Sequence, residues 1–270
     1  MKVNVVDRDV CILEAKFSLE QGRALAWEKR MVAFGALARA LSLFGKPSVS
    51  EFVLESTASL YLPFWRIAWC SRFDYDRDAS IECQRRPEVQ VVTIGQRSFN
   101  VKAGGFSFDA VEHCVENFES DQCVSGLGQN DDRYRMYLDL PCKRLPAEQI
   151  ERFRPADAEV VAPRVTASAL IRDQLADFLR NAPTKGARLV REESLELTHL
   201  NLWLRPVRQF SFRWVPKDKC GTLTYDAVSG EVEAGGISGS ETIVRFLSSD
   251  IVQEVGKEAL QQLIQLVLNG

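Results

Sequence analysis

The spacing of apolar residues changes period along the chain. Val10, Ile12, Glu14 and Lys16 alternate with Cys11, Leu13, Ala15 and Phe17, which is the period of two of a half-buried strand. Strands are therefore expected over 2–6 and 10–17, around the turn-like Asp7-Arg8-Asp9. Leu25, Met31, Leu37, Leu41 and Phe44 then recur at helical spacing, with Glu20, Arg23, Glu28, Lys29, Arg30 and Arg39 mostly off that stripe. Ser18 with Gln21 three residues on is a capping box, and Gly45 and Pro47 punctuate the other end. A helix over 19–44 follows from these signals.

Residues 48–103 are rich in Val, Ile, Phe, Trp and Tyr, and predict strands over 51–62, 64–72, 80–84, 89–94 and 98–101. A short helix is expected over 109–118, an exposed aperiodic loop over 119–131 and a strand over 134–140. Leu170, Ile171, Leu175, Phe178 and Leu179 share one face of a helix over 166–181. Strands are expected again over 188–190, 194–204, 207–214, 221–225 and 231–234. Helices over 241–247 and 251–268 close the chain.

This order reads as α+β, with two helix-on-antiparallel-sheet units. The N-terminal unit spans 1–140 and the C-terminal unit 166–270. Between them, residues 141–165 form a connection that carries Pro141, Pro146, Pro155 and Pro163, together with a short helix over 147–153. At one fixed offset Leu60, Tyr61, Leu62, Arg66, Asp76 and Arg77 match Leu202, Trp203, Leu204, Arg208, Asp218 and Lys219. The match is either an internal duplication or the chance alignment of two similar hairpins.

Composition narrows the functional classes. The 270 residues carry a formal net charge of -3, so no global positive field favours nucleic acid. With only 2 His, chemistry built on several histidines is not available. The seven cysteines are odd in number and irregularly spaced, which argues against a disulfide framework and for reduced thiols in the cytoplasm. A zinc site from His113, Cys114, Cys123 and Cys142 is disfavoured, because those spacings offer no close pair to bite the metal. No apolar run approaches the roughly 18 residues of a membrane span. Neither GxxxxGK[ST], GxSxG nor HExxH occurs, and no cofactor is expected.

The run Tyr225-Asp226-Ala227-Val228-Ser229-Gly230-Glu231-Val232 resembles the D-A-x-[ST]-G-E-V strand-turn-strand of PepSY-type domains, within residues 207–234. Those domains are small helix-on-sheet modules that bind or regulate other proteins, including peptidases. The resemblance implies a hairpin in which Asp226 bonds nearby backbone and Gly230 takes a positive φ. It implies nothing catalytic.

Three sets of side chains are candidate sites. Asp74, Asp76, Asp78 and Glu82 cluster with Arg72 and Arg77, and such carboxylates can hold a divalent cation or act as an acid/base pair. The simpler reading is a solvated hairpin tip. From Gly104 to Asp132 there is no Lys or Arg; Glu116, Glu119, Asp121, Asp131 and Asp132 there offer a docking surface for a basic partner, or a solvated face. Arg66, Arg208 and Arg213 interleave with aromatic residues on the strands. Alternation places Trp65, Ile67 and Trp69 on one face, and Phe210, Phe212 and Trp214 on another. Those aromatic faces read as core, with the Arg-bearing faces exposed. The preferred function is a non-enzymatic cytoplasmic interaction or accessory protein whose partner is another protein. The alternatives are a carboxylate- or metal-dependent hydrolase and a single-stranded nucleic-acid binder.

Overall fold

The computed structural model describes residues 2–5, 9–35, 47–84, 86–102, 105–128, 132–146, 153 and 155–236. The helices expected over 241–247 and 251–268 lie outside these residues, as do residues 36–44 of the first expected helix and nearly all of the short helix over 147–153; the described part of the first helix ends at Glu28 and a 3-10 helix follows over Arg30–Phe34. Among the described residues 55% lie in strands and 21% in helices, so the α+β reading with two helix-on-sheet units is overturned. The chain is mostly β.

The elements run β1 (Lys2–Val5), β2 (Asp9–Leu13), α1 (Leu19–Glu28), β3 (Phe52–Cys83), β4 (Val91–Ile94), β5 (Arg97–Asn100), β6 (Phe106–Ser125), β7 (Cys142–Pro146), β8 (Glu159–Val160), α2 (Ala167–Asn181), β9 (Leu189–Trp214), β10 (Lys219–Asp226) and β11 (Val232–Ala234). Pairing joins nine strands in a mixed sheet of order β11-β10-β9-β2-β7, with β1 on β9 and with β3 pairing β6, β8 and β9. β2 meets β9 in parallel and β7 antiparallel. Parallel pairs are absent from the antiparallel arrangement expected above. β4 and β5 form a separate hairpin.

Two errors of reading account for the difference. Breaks expected at Pro63 and Pro206 do not occur, and β3 and β9 run through both prolines. Proline removes a donor from a strand but keeps its carbonyl. Here Gly126 N–H donates to the Pro63 carbonyl at 2.9 Å and Ala227 N–H to the Pro206 carbonyl at 3.1 Å. The second error lies at 109–118, where a helix was expected and β6 stands. Val111, Cys114, Val115 and Phe118 fit a helical stripe, but the structure does not bury that stripe. Burial follows a period of two, with Phe106, Phe108, Ala110, Glu112, Cys114 and Glu116 half-buried and their neighbours exposed. The loop expected over 119–131 is the continuation of β6 to Ser125, and a 3-10 turn over Asp132–Tyr137 replaces most of the expected strand at 134–140.

Backbone contacts divide the chain into two compact units. The first is Met1–Asn4, Trp69–Ser120 and Leu175–Leu197; the second is Val5–Ala68, Asp121–Gln174 and Thr198–Gly270. Each draws on chain from both sides of the 141–165 connection.

In the second unit the expected capping box starts α1. Gln21 N–H donates to Ser18 Oγ at 3.2 Å, and Ser18 N–H to Gln21 Oε1 at 2.8 Å. The helix packs Ala26 against Phe210, Phe212, Leu223, Tyr225 and Ala227. Gly22 lets it approach closely, since a Cβ there would lie 2.6 Å from Tyr225 Cδ1. Phe210 and Phe212 are fully buried and Trp214 nearly so, as their shared face implied. Around Trp65 the expectation fails in part. Phe64 and Ala68, on the supposedly exposed face, are buried too, and Phe64 stacks on Tyr134 at 4.7 Å.

The D-A-V-S-G-E turn closes β10 and β11. Asp226 Oδ1 accepts the N–H of Val228 at 2.7 Å and of Ser229 at 3.0 Å, and Gly230 has φ +81°. The other oxygen, Oδ2, accepts Arg205 Nη1 at 2.5 Å and the Tyr137 hydroxyl. All three side chains are buried or nearly so. Burial first, and then the Asp226 bond, push the Tyr137 hydroxyl up to about 12, against the Arg205 charge. In the first unit, Phe178 of α2 stacks on Phe73 of β3 at 5.2 Å, with Phe118 of β6 edge-on to Phe73 at 5.9 Å. Leu179, assigned to the buried face of that helix, is exposed.

Candidate functional site

The first unit brings a set of ionisable groups together on β3, β6 and the start of β9. Side chains on a strand alternate between faces, so Asp74, Asp76 and Asp78 share one face of β3. Each meets an arginine in β9 or just before it. Arg191 Nη1 donates to Asp74 Oδ1 at 3.2 Å, and Nη2 to Asp76 Oδ2 at 2.5 Å; Arg188 Nη1 donates to Asp78 Oδ1 at 3.1 Å. On the other side His113 Nδ1 lies 2.5 Å from Asp76 Oδ1. Asp76 thus sits between a guanidinium and an imidazole, at only 6% exposure. The Arg191 hydrogen bond, with a smaller contribution from His113, holds its carboxyl below the usual carboxylate range despite desolvation.

Flanking pairs extend this ladder. Arg77 Nε donates to Glu112 Oε2 at 2.6 Å and Arg72 Nε to Glu192 Oε2 at 3.2 Å. The Tyr75 hydroxyl donates to Glu116 Oε1 at 2.5 Å. That bond first, then burial, pushes the Tyr75 hydroxyl up to about 12. Asp74, Asp76 and Asp78 are thus brought together, while Glu82 is exposed farther along β3. Arg188 and Arg191 are the functional-looking residues missed in sequence, and His113, weighed there as a zinc ligand, is the third partner. The two arginines follow the helix in an unremarkable basic segment, and the helical reading of 109–118 turned His113 away from β3.

The remaining candidates are spread over the structure. Arg66 grips Asp121 through Nε at 3.1 Å and Nη2 at 2.7 Å, so two proposed surface charges neutralise each other. Arg213 donates to Asp218 at 2.6 Å. Arg208 is half-buried, and its Nε is buried without a hydrogen-bond partner among the described residues. Glu119 is exposed. Asp131 and the side chain of Asp132 lie outside the described residues. Among those residues no group of three or more His, Cys, Asp or Glu could hold a metal ion. His113 Nδ1 already faces Asp76, and Cys114 Sγ lies 3.9 Å from the Glu112 carbonyl.

One backbone feature accompanies the ladder. Among the described residues β6 pairs with β3 alone, and no strand of those residues lies along its other edge. β6 is 20 residues long and contains no Lys, Arg or Pro. The edge strands β7 and β11 are protected differently. β7 has five residues, with Lys143, Arg144 and Pro146 among them, and β11 has three. Short length, cations and proline are the usual protections of a sheet edge. The part of the acidic stretch over Phe106–Ser125 is therefore a long, anionic strand.

Comparison of the chain with protein-family models, with curated proteins and with solved structures returned no match. Among the described residues, no helix is long and apolar enough to cross a membrane.

Proposed function

We propose that the chain is a non-enzymatic cytoplasmic interaction or accessory protein whose partner is another protein. The observation that supports this reading is β6, a long strand without Lys, Arg or Pro that pairs on one side only among the described residues. The hydrolase reading loses support from the ladder. Asp74, Asp76 and Asp78 are each paired with arginine, which leaves their oxygens occupied. The nucleic-acid reading loses support because Arg66 and Arg213 are paired with carboxylates.

The test uses the full chain as bait, with light scattering to fix stoichiometry and cross-linking to map contacts. The reading expects a stoichiometric complex with another protein, cross-linked through the first unit. Recovery of the chain only by itself, across several extracts and salt concentrations, contradicts it.

A further inference from the structure

From the open edge of β6 we infer that its partner is an extended cationic segment, which adds as a further strand over Phe106–Glu119. This rests on the interaction reading above and names the chemistry of the partner.

The outward edge of an unpaired strand presents the N–H and C=O of every second residue, and an added strand satisfies them. Backbone pairing supplies affinity, and the side chains choose the occupant. The face of β6 carrying Asp109, Val111, His113, Val115, Asn117 and Glu119 is exposed throughout. Val111 and Val115 are 38% and 53% exposed, so the strand offers apolar contact between its charges. Glu112 and Glu116, on the half-buried face, are engaged by Arg77 and Tyr75. Asp109 and Glu119 make no ion pair among the described residues, and nothing in the strand offsets them.

Those charges decide among occupants. A second copy of β6 would set carboxylates against carboxylates, which destabilises cross-strand pairing. A nucleic acid would bring phosphates to the same edge. A segment with Lys or Arg opposite Asp109 and Glu119, and apolar residues opposite Val111 and Val115, is complementary at each position. The charges also suppress self-association of an edge that otherwise invites it.

The probe is a labelled synthetic peptide with Lys facing Asp109 and Glu119, Val facing Val111 and Val115, and Thr elsewhere. Its binding to the full chain is followed by fluorescence anisotropy and by hydrogen exchange of the β6 amides. A peptide with Glu replacing Lys, a peptide N-methylated on alternate amides, and the Asp109→Lys/Glu119→Lys chain serve as comparisons. Both replaced side chains are exposed and make no ion pair among the described residues, so the variant fold should be retained, and its circular dichroism checks this. The inference expects saturable binding, new protection of alternate amides within 106–119, and weakening of about tenfold or more in each comparison, equivalent to about 1.4 kcal/mol. Equal binding of the N-methylated peptide overturns strand addition, and equal binding of the Glu peptide overturns the cationic partner. A stoichiometric protein complex that cross-links away from β6 overturns this inference while leaving the interaction reading in place. Absence of any protein complex removes that reading instead.

Discussion

Replacing Asp226 should unfold the second unit more readily than any change at the ion-pair ladder. The carboxylate serves two roles at once, one for each oxygen. Oδ1 accepts two backbone N–H groups and holds the turn, while Oδ2 meets Arg205 and Tyr137. The side chains of Arg205 and Asp226 are 12% and 6% exposed. Solvent therefore cannot take over when the anion is removed. Breaking a buried pair from one side typically costs about 3–5 kcal/mol, because the surviving charge stays buried. Loss of each turn bond to a charged acceptor adds about 1.5–3 kcal/mol, less where the losses overlap. Asp226→Ala should thus lose about 4–7 kcal/mol, a large share of the roughly 5–15 kcal/mol that holds a domain folded. Asp226→Asn keeps an acceptor for the turn and loses the charge, so it should lose about 3–4 kcal/mol. Combining Asp226→Asn with Arg205→Met removes both charges and should recover part of the loss. Urea unfolding followed by tryptophan fluorescence measures all three. A cost below about 1 kcal/mol for Asp226→Ala would refute the burial argument, since that is the range of an exposed pair.

Three further expectations concern other parts of the fold. Gly22→Ala drives a Cβ to within 2.6 Å of the buried Tyr225 ring; it should cost about 1–3 kcal/mol through overpacking, more than the roughly 1 kcal/mol gained in helix propensity, as measured by urea unfolding. Phe178→Ala removes the ring stacked on Phe73 and should cost about 3–5 kcal/mol, visible as a lower Tm in calorimetry. Asp76 has its carboxyl held low in the folded chain by Arg191 and His113. Its contribution is therefore complete above the unfolded carboxylate pKa near about 4, and is lost as pH falls through the lower folded value. Urea titrations at neutral and acid pH should show that loss, and Asp76→Asn should flatten it; an unchanged acid slope contradicts the assignment.

Local signals survive in the sequence where a side chain acts on its own backbone. Ser18 and Gln21 start α1, and Asp226 and Gly230 shape the last turn, because those bonds span only a few residues. The apolar face of α2 was likewise legible, apart from Leu179. Long-range choices were not. Pro63 and Pro206 look like strand breaks until the groups that meet their carbonyls, Gly126 and Ala227, are known. The apolar spacing of Val111, Cys114, Val115 and Phe118 favours a helix, and only pairing with β3 makes the strand, with Glu112 and Glu116 on its half-buried face. The site followed from that choice. Asp74, Asp76 and Asp78 were recognised as a cluster, but their partners Arg188 and Arg191 lie more than a hundred residues away. The cation-free composition of 104–132 was visible throughout. That it forms a sheet edge was not, because an edge is defined by which strands fail to pair with it.

The open edge of β6 is tested most directly by residue-resolved amide hydrogen exchange on the full chain in isolation. Amides of β6 that point to β3 should exchange slowly, and those that point outward should exchange rapidly, giving a period of two across Phe106–Glu119. Uniformly slow exchange over the same residues would show the edge already paired, and would contradict the account.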